Sequence, residues 1–301
     1  DNVRDKLENQ FNDIKQVIIT IIFTTVFAAL IVNFSYSSSK NGVNEMAFYA
    51  CYVLQISTLM YIFQIAMEIG EKLVLFILQL MGAIIPTYLL AVGITSQATA
   101  LGFNSLIMTL IAVIEAVILN IVFPMLKVYM AISMVNSISK EDLLSGMADL
   151  IKKAINFIYK IILGTVTGLN LIQSLILPTT DLAKNNIAKK IISNVPIVGN
   201  GTDAVAQIIL SSVGIIKNSI GVLAIILIVF VCIVPMVKMT AYSAVVQISG
   251  AVLQPIADKR ILNCIKQTSE VIKLLNRGIS VVGFLFIITI AIICISTGNG
   301  G

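Results

Sequence analysis

The stretch Asn218–Val237, NSIGVLAIILIVFVCIVPMV, runs without a charge from Lys217 to Lys238. A helix needs about 20 apolar residues to cross the hydrocarbon core of a bilayer, so this stretch reads as a membrane span. Six similar windows lie around it, Val17–Phe34, Met46–Met67, Leu73–Gly93, Ser105–Leu126, Ile161–Leu177 and Gly278–Ser296, of which only Ser105–Leu126 contains a charge, Glu115. The whole chain agrees, with 58% hydrophobic and 12% charged residues over 301 positions, against about 25% charged in soluble domains. An ordinary soluble fold is excluded. The windows show no alternation of polarity, which excludes a β-barrel, and lipid offers no partner to the backbone of a lone strand. The expected fold is therefore an all-α polytopic integral membrane protein of about seven transmembrane helices.

Its expected domains are a polar tail over 1–16, a single membrane domain over 17–297 and a short tail over 298–301. Twenty Lys and Arg oppose fifteen acidic residues, but the basic residues are dispersed between spans. A nucleic-acid face needs them clustered, so no nucleic-acid partner is expected. Their better use is topology, because Lys and Arg accumulate on the cytoplasmic side. With seven crossings, Lys40, Lys184, Lys189, Lys190 and Lys217 fall on one side and the other fifteen on the side of the N-terminus. That tally puts the N-terminus inside. The four cysteines, Cys51, Cys232, Cys264 and Cys294, lie far apart, which fits packing residues better than a metal site or a disulfide framework. The chain starts at Asp1 rather than Met, which points to a removed leader or a late start.

Between the second and third windows stands a short charged stretch, Glu68–Lys72, which predicts an antiparallel helical hairpin. The polar connection through Thr95, Ser96, Gln97, Gly102 and Asn104 reads as a loop or as a breach in a long apolar hairpin. Two other stretches are too polar to cross a bilayer and too periodic to be loops. On a helical wheel, 142–160 gathers Leu143, Met147, Leu150, Ile151, Ala154, Ile155 and Ile158 opposite Asp142, Asp149, Lys152, Lys153 and Lys160, with Ser139 as N-cap. The stretch 258–277 gathers Ile261, Cys264, Ile265, Val271, Ile272 and Leu275 opposite Lys259, Lys266, Glu270, Lys273 and Arg277, leaving Leu274 out of place. Both are expected to be interfacial amphipathic helices, lying in the headgroup plane or docked on a cytoplasmic partner.

Pro124-Met125-Leu126-Lys127 is expected to close the fourth span and Pro235-Met236-Val237-Lys238 the sixth. Each is followed by a small-residue apolar stretch, an amphipathic helix and a span opening near glycine. The expectation is an internal duplication, 101–180 against 212–297, with its copies parallel, so that Lys127 and Lys238 share one face.

The sequence has no His, no Trp, no phosphate loop and no catalytic constellation, so an enzyme is not expected, nor a cofactor or metal. Candidate residues are instead polar or small groups placed in lipid. Glu115 sits in the middle of the fourth span, where an ionised side chain costs about 3 kcal/mol. It lines a polar path or pairs with another helix or protomer; the plainer reading is a carboxyl that is protonated or reaches the interface. Gly164 and Gly168 form a Gly-x-x-x-Gly step for close helix approach. The segment Ile191–Asp203, with Pro196, Gly199, Gly201 and Asp203, cannot be one continuous helix; it is a re-entrant hairpin or an extramembrane turn.

The blocks NVPIVGNGTDAVAQIILSSVGIIKNSIG (194–221), VPMVK (234–238) and LQPIADKRILNCIKQTSEVIKLL (253–275) resemble the stage III sporulation protein AE family. The resemblance covers roughly the C-terminal two thirds. It implies a multi-pass protein of the mother-cell membrane around the forespore of an endospore-forming bacterium. It also implies other stage III sporulation proteins A and a forespore membrane partner, in a channel-like, secretion-related complex. Family members commonly begin with a signal peptide, and a cleaved leader would place Asp1 outside, against the charge tally. The expected function is a homo-oligomeric component of that complex; an autonomous solute or ion permease and a scaffold without a conduit are the alternatives.

Overall fold

The structure is a computed structural model and describes residues 15–16, 19–24, 26–27, 30–31, 41–93, 109–110, 112–138, 143–165, 167–168, 201–255 and 257–298. Among these residues all regular structure is helical. The helices are α1 (within 15–31), α2 (Asn41–Gly93), α3 (112–138), α4 (145–165, continuing at 167–168), α5 (Gly201–Leu253) and α6 (Lys259–Gly298). Four of them contain segments long and apolar enough to cross a membrane: Tyr49–Ile84, Ala112–Ser137, Ile225–Leu253 and Lys259–Ile290. The expected seven crossings are not all present as separate helices. The windows Val17–Phe34, Ser105–Leu126 and Ile161–Leu177 lie partly outside the described residues, and the polar connection after Gly93 and Ser139 lie wholly outside them.

The predicted hairpin at Glu68–Lys72 is absent: α2 runs through it as one helix of 53 residues, about 80 Å at 1.5 Å per residue. The reason is local. Glu68 and Lys72 stand one turn apart in the favourable order and pair at 2.6 Å, which supports a helix rather than ending it. Both prolines expected to close spans also lie inside helices. Pro235 is internal to α5, which runs 53 residues. In α3, the residues before Pro124 form a π-helical turn, Ile118–Val122, and the α-helix resumes at Phe123–Ile138. Proline cannot donate to the preceding turn, and a π turn there absorbs the lost bond by shifting the register. Lys72, Lys127 and Lys238 are thus helix residues, not loop charges, and the topology tally loses them.

The chain divides into two compact units, 1–73 with 118–158 and 233–279, and 74–117 with 159–232 and 280–301. The centre of the first is the N-terminal half of α6. Asp258 caps it, accepting from the Arg260 backbone N–H at 2.8 Å. Ile261, Cys264, Ile265, Thr268, Ser269, Val271, Ile272, Leu275 and Ile279 are all at most 2% exposed, and Leu274 is buried as well. So the stretch expected to lie in the headgroup plane is a hub enclosed by protein, and Leu274 is in place because more than one side is covered. The amphipathic pattern marks a face that is buried, and its partner is the bundle.

Four helices reach this hub through polar ties. From α2, the Tyr52 hydroxyl lies 3.1 Å from Cys264 Sγ and donates to the Met134 carbonyl of α3 at 2.8 Å. From α3, the Tyr129 hydroxyl donates to Gln267 Oε1 at 3.1 Å. From α4, Lys152 meets Glu270 at 2.6 Å and Asn156 accepts from Arg277 at 2.6 Å. From α5, Ser243 and Ser269 bring their hydroxyls to 2.9 Å, and the Asn276 amide donates to Thr240 at 2.9 Å. Two glycines let backbones come close: a Cβ on Gly70 would lie 3.0 Å from Leu275, and one on Gly250 3.0 Å from Ile265.

Among the described side chains of the second unit, the buried ones are mostly apolar. Val74, Ile77, Leu78 and Met81 of α2, Ile114 of α3, Tyr159 and Ile162 of α4, Ile228 and Cys232 of α5, and Val282, Leu285, Phe286 and Ile290 of α6 are buried. Gly283 admits Cys232, whose Sγ would stand 3.2 Å from an added Cβ. Cys51, Cys232 and Cys264 are buried free thiols, in keeping with packing roles. Helix α4 departs from expectation. Its inward face is Ala148, Lys152, Ile155, Tyr159 and Ile162, whereas Leu143, Met147, Leu150 and Phe157 are exposed. Asn136 caps it by accepting from the Leu144 N–H at 2.8 Å.

Candidate functional site

Halfway along α2, between two apolar halves, Glu68, Glu71 and Lys72 project from one helical turn and a half. Lys127 of α3 reaches Glu71 at 3.3 Å. Lys238 of α5 stands over the Tyr242 ring, 5.8 Å from its centroid, a cation–π distance. Glu68, Ile62, Ile65, Ile69 and Lys72 of α2, Lys238 and Tyr242 of α5, and Gln16 and Thr20 of α1 line one open cleft of about 360 Å³. Thr58 and Tyr61 complete its wall. All of these residues belong to the first unit. The lysines that follow the two Pro-Met steps therefore both come to the middle of α2.

Magnitudes say what this charged belt is not for. The Lys72 and Glu68 side chains are 75% and 65% exposed, and those of Lys127 and Glu71 57% and 40%. Exposed ion pairs contribute about 0–1 kcal/mol each, too little to explain helices of this length. The enclosed ties around the hub do the holding. A belt of exposed charge inside apolar helices is a place for water, a ligand or another chain.

The other predicted residues are not gathered there. Glu115 is exposed on α3, in the second unit, and no ion pair reaches it from a described residue. Gly164 is exposed and Gly168 half-buried on α4, and no described atom stands within 4 Å of a Cβ built on either; no described helix uses the step. Gly201 and Asp203 belong to the first turn of α5, and the apolar run after them is helical. Pro196 and Gly199 lie outside the described residues. What sequence reasoning missed is the acidic half of the belt. Its signal is the four-residue spacing of Glu68 and Lys72, concealed because charge between two apolar windows resembles a turn.

The comparisons with known proteins speak to the chain as a whole. The model of the family described as stage III sporulation protein AE matches residues 1–297. The chain belongs to the stage III sporulation protein AE family. A relative, stage III sporulation protein AE of Bacillus subtilis, is 22% identical over 283 residues, covering 93% of this chain and 70% of that protein. No solved structure matches. The match extends to the first hundred residues, beyond the C-terminal two thirds that carry the resemblance in sequence. As a member of the stage III sporulation protein AE family, the chain has a role in sporulation, and the four long apolar helices among its described residues make it a membrane protein.

Proposed function

We propose that the chain is a membrane-embedded subunit of a conduit complex between mother cell and forespore. In this reading it assembles as a homo-oligomer in the mother-cell membrane around the forespore, with other stage III sporulation proteins A and a partner in the forespore membrane. The observation that carries the reading is Glu115. It is exposed on α3 among exposed apolar neighbours, Val113 at 52% and Ile121 at 46%. A carboxylate facing hydrocarbon costs about 3 kcal/mol; a protomer boundary or a water-filled lumen removes that cost. Gly164 and Gly168, open to approach, supply a second contact for a neighbouring copy, and the broken stretch through Pro196 and Gly199 shapes the interior as a re-entrant element. The two Pro-Met-x-Lys helices, each followed by a returning helix, are the cores of an internal duplication.

The test is extraction of the chain from sporulating cells in a mild detergent, beside vesicles that hold the chain alone. The conduit reading expects other sporulation proteins to co-purify and the vesicles to stay tight. The open belt cleft favours one second reading, a solute permease. Specific solute flux through vesicles holding this chain alone would establish that reading and end the first.

A further inference from the structure

The outer side of α4 carries an apolar ridge. Leu143, just before the helix, and Met147, Leu150 and Phe157 on it are each more than half exposed. With half-buried Ala154 they follow one another at steps of four and three residues, the spacing that aligns side chains for a facing helix. Hydrocarbon does not cover this ridge, because the same stretch carries Asp149, Lys152, Lys153 and Lys160. Nor does α4 lie flat among the headgroups. Lys152 meets Glu270 and Asn156 meets Arg277, so α4 runs alongside α6 in the same direction. Helix α6 is continuous from Lys259 to Gly298, and its charge-free window starts at Gly278. A helix that continues into a span stands across the bilayer, tilted by about 20°. A ridge beside its charged end therefore runs along that end and away from the membrane.

That end is basic. Lys259, Lys266 and Lys273 recur every seven residues on α6 and are exposed, as are Arg277 and, on the flank of the ridge, Lys153. Arg260 is matched by Asp258 and Lys152 by Glu270. Lys273 and Arg277 donate to the neutral amide oxygens of Gln247 and Asn156, which leaves their charges uncancelled. Among the described residues no ion pair reaches Lys153, Lys259 or Lys266, and Asp149 is the one exposed acid on α4 or on α6 up to Arg277. The row from Lys259 to Lys273 is about 21 Å long, whereas a headgroup layer is about 5–8 Å deep. A lipid surface cannot match such a row along its length, and a second copy would set two basic faces together. An elongated acidic partner matches both the ridge and the row.

We propose that this surface docks an acidic amphipathic helix of a second protein, with its apolar stripe on Met147, Leu150 and Phe157 and its Asp or Glu flank facing Lys153 and the basic row of α6. The proposal does not rest on the conduit reading, because the surface belongs to one copy of the chain.

The experiment uses the full chain in the membranes of sporulating cells, with Leu150 or, separately, Phe157 replaced by the photo-crosslinking residue p-benzoylphenylalanine, and adducts mapped by mass spectrometry. The expected adduct lies on an acidic amphipathic segment of another protein. A synthetic peptide of that segment should bind the purified chain in phosphatidylcholine nanodiscs. Combining Lys153→Glu, Lys266→Glu and Lys273→Glu should lower adduct yield and peptide affinity about tenfold or more, whereas Arg at the same three positions keeps both. Met147→Asn, at an exposed position, should lower both without shifting the Tm of the chain. Adducts with lipid alone, with a second copy of the chain or with a segment that is not acidic overturn the proposal. So do the absence of adducts at both positions and an affinity unmoved by the three Glu substitutions. Should that variant fail to fold, the chain with its lysines intact decides: peptide binding that weakens steeply with salt supports the surface, and binding indifferent to salt overturns it.

Discussion

The two units of this chain are built from the same helices by different means. In the first, one enclosed helix segment, 259–279, is tied to four neighbours by hydroxyls, amides and an ion pair. Among the described side chains of the second, burial falls mostly on Val, Ile, Leu, Met and Phe, and the hydroxyls of Thr167 and Thr289 donate to carbonyls of their own helices, at Leu163 and Leu285. The difference teaches where specificity comes from. Apolar side chains gain little from one another over lipid tails, so helices that must keep one register do so through polar ties and close backbone approach. The first unit has both; among its described residues the second shows the close approach, at Gly283 and Cys232.

The sharpest way to break the contrast is to fill the close approaches. Gly70→Leu or Gly250→Leu drives a side chain into Leu275 or Ile265 and should cost about 3 kcal/mol, read as a large loss of thermal stability in detergent. Gly164→Leu, which meets no described atom, should change stability by no more than about 0.5 kcal/mol. Equal effects at Gly70 and Gly164 would erase the distinction.

Next in size is the ion pair between α4 and the hub. Lys152→Met leaves Glu270, 29% exposed in its side chain, without its cation and should cost about 2 kcal/mol, between the values for exposed and buried pairs. Exchanging the two residues should recover most of it. The hydrogen bond to Glu270 holds the Lys152 ammonium above its ordinary value. A raised value means the contribution is complete below the ordinary lysine pKa and is lost only as pH rises through the folded one. The difference between wild type and Lys152→Met should therefore stay flat from about pH 6 to 9. Tyr52→Phe, which removes a donor to Met134 and a contact to Cys264, should cost about 1 kcal/mol. Smallest is Lys127→Gln in the exposed belt, at about 0.5 kcal/mol or less; a loss as large as that of Lys152→Met would make the belt structural.

How much of this was legible in the sequence follows from what each pattern encodes. Charge-free windows report the surroundings of a helix, and the all-helical membrane fold was plain from them. They do not report where a helix ends: Glu68–Lys72 and the two prolines looked like punctuation, yet an ion pair at helical spacing and a π turn carried α2 and α3 through. Periodicity at 258–277 identified a buried face but could not say whether lipid or protein covers it, since both are apolar. At 142–160 the apolar arc was wider than one contact, and the bundle took the side at Ala148, Ile155 and Tyr159, leaving Leu143 and Leu150 outside. Lys127 and Lys238 were legible as a pair because they follow the same Pro-Met step; Glu68 and Glu71 were not, because nothing in sequence joins them to residues 56 or more positions away.

The measurement that tests the account most directly is the oligomeric state of the purified chain imaged in lipid nanodiscs, together with the position of Glu115. The account predicts a closed assembly of several copies with Glu115 at a protomer boundary or on a central opening. A stable monomer with Glu115 facing lipid would contradict it.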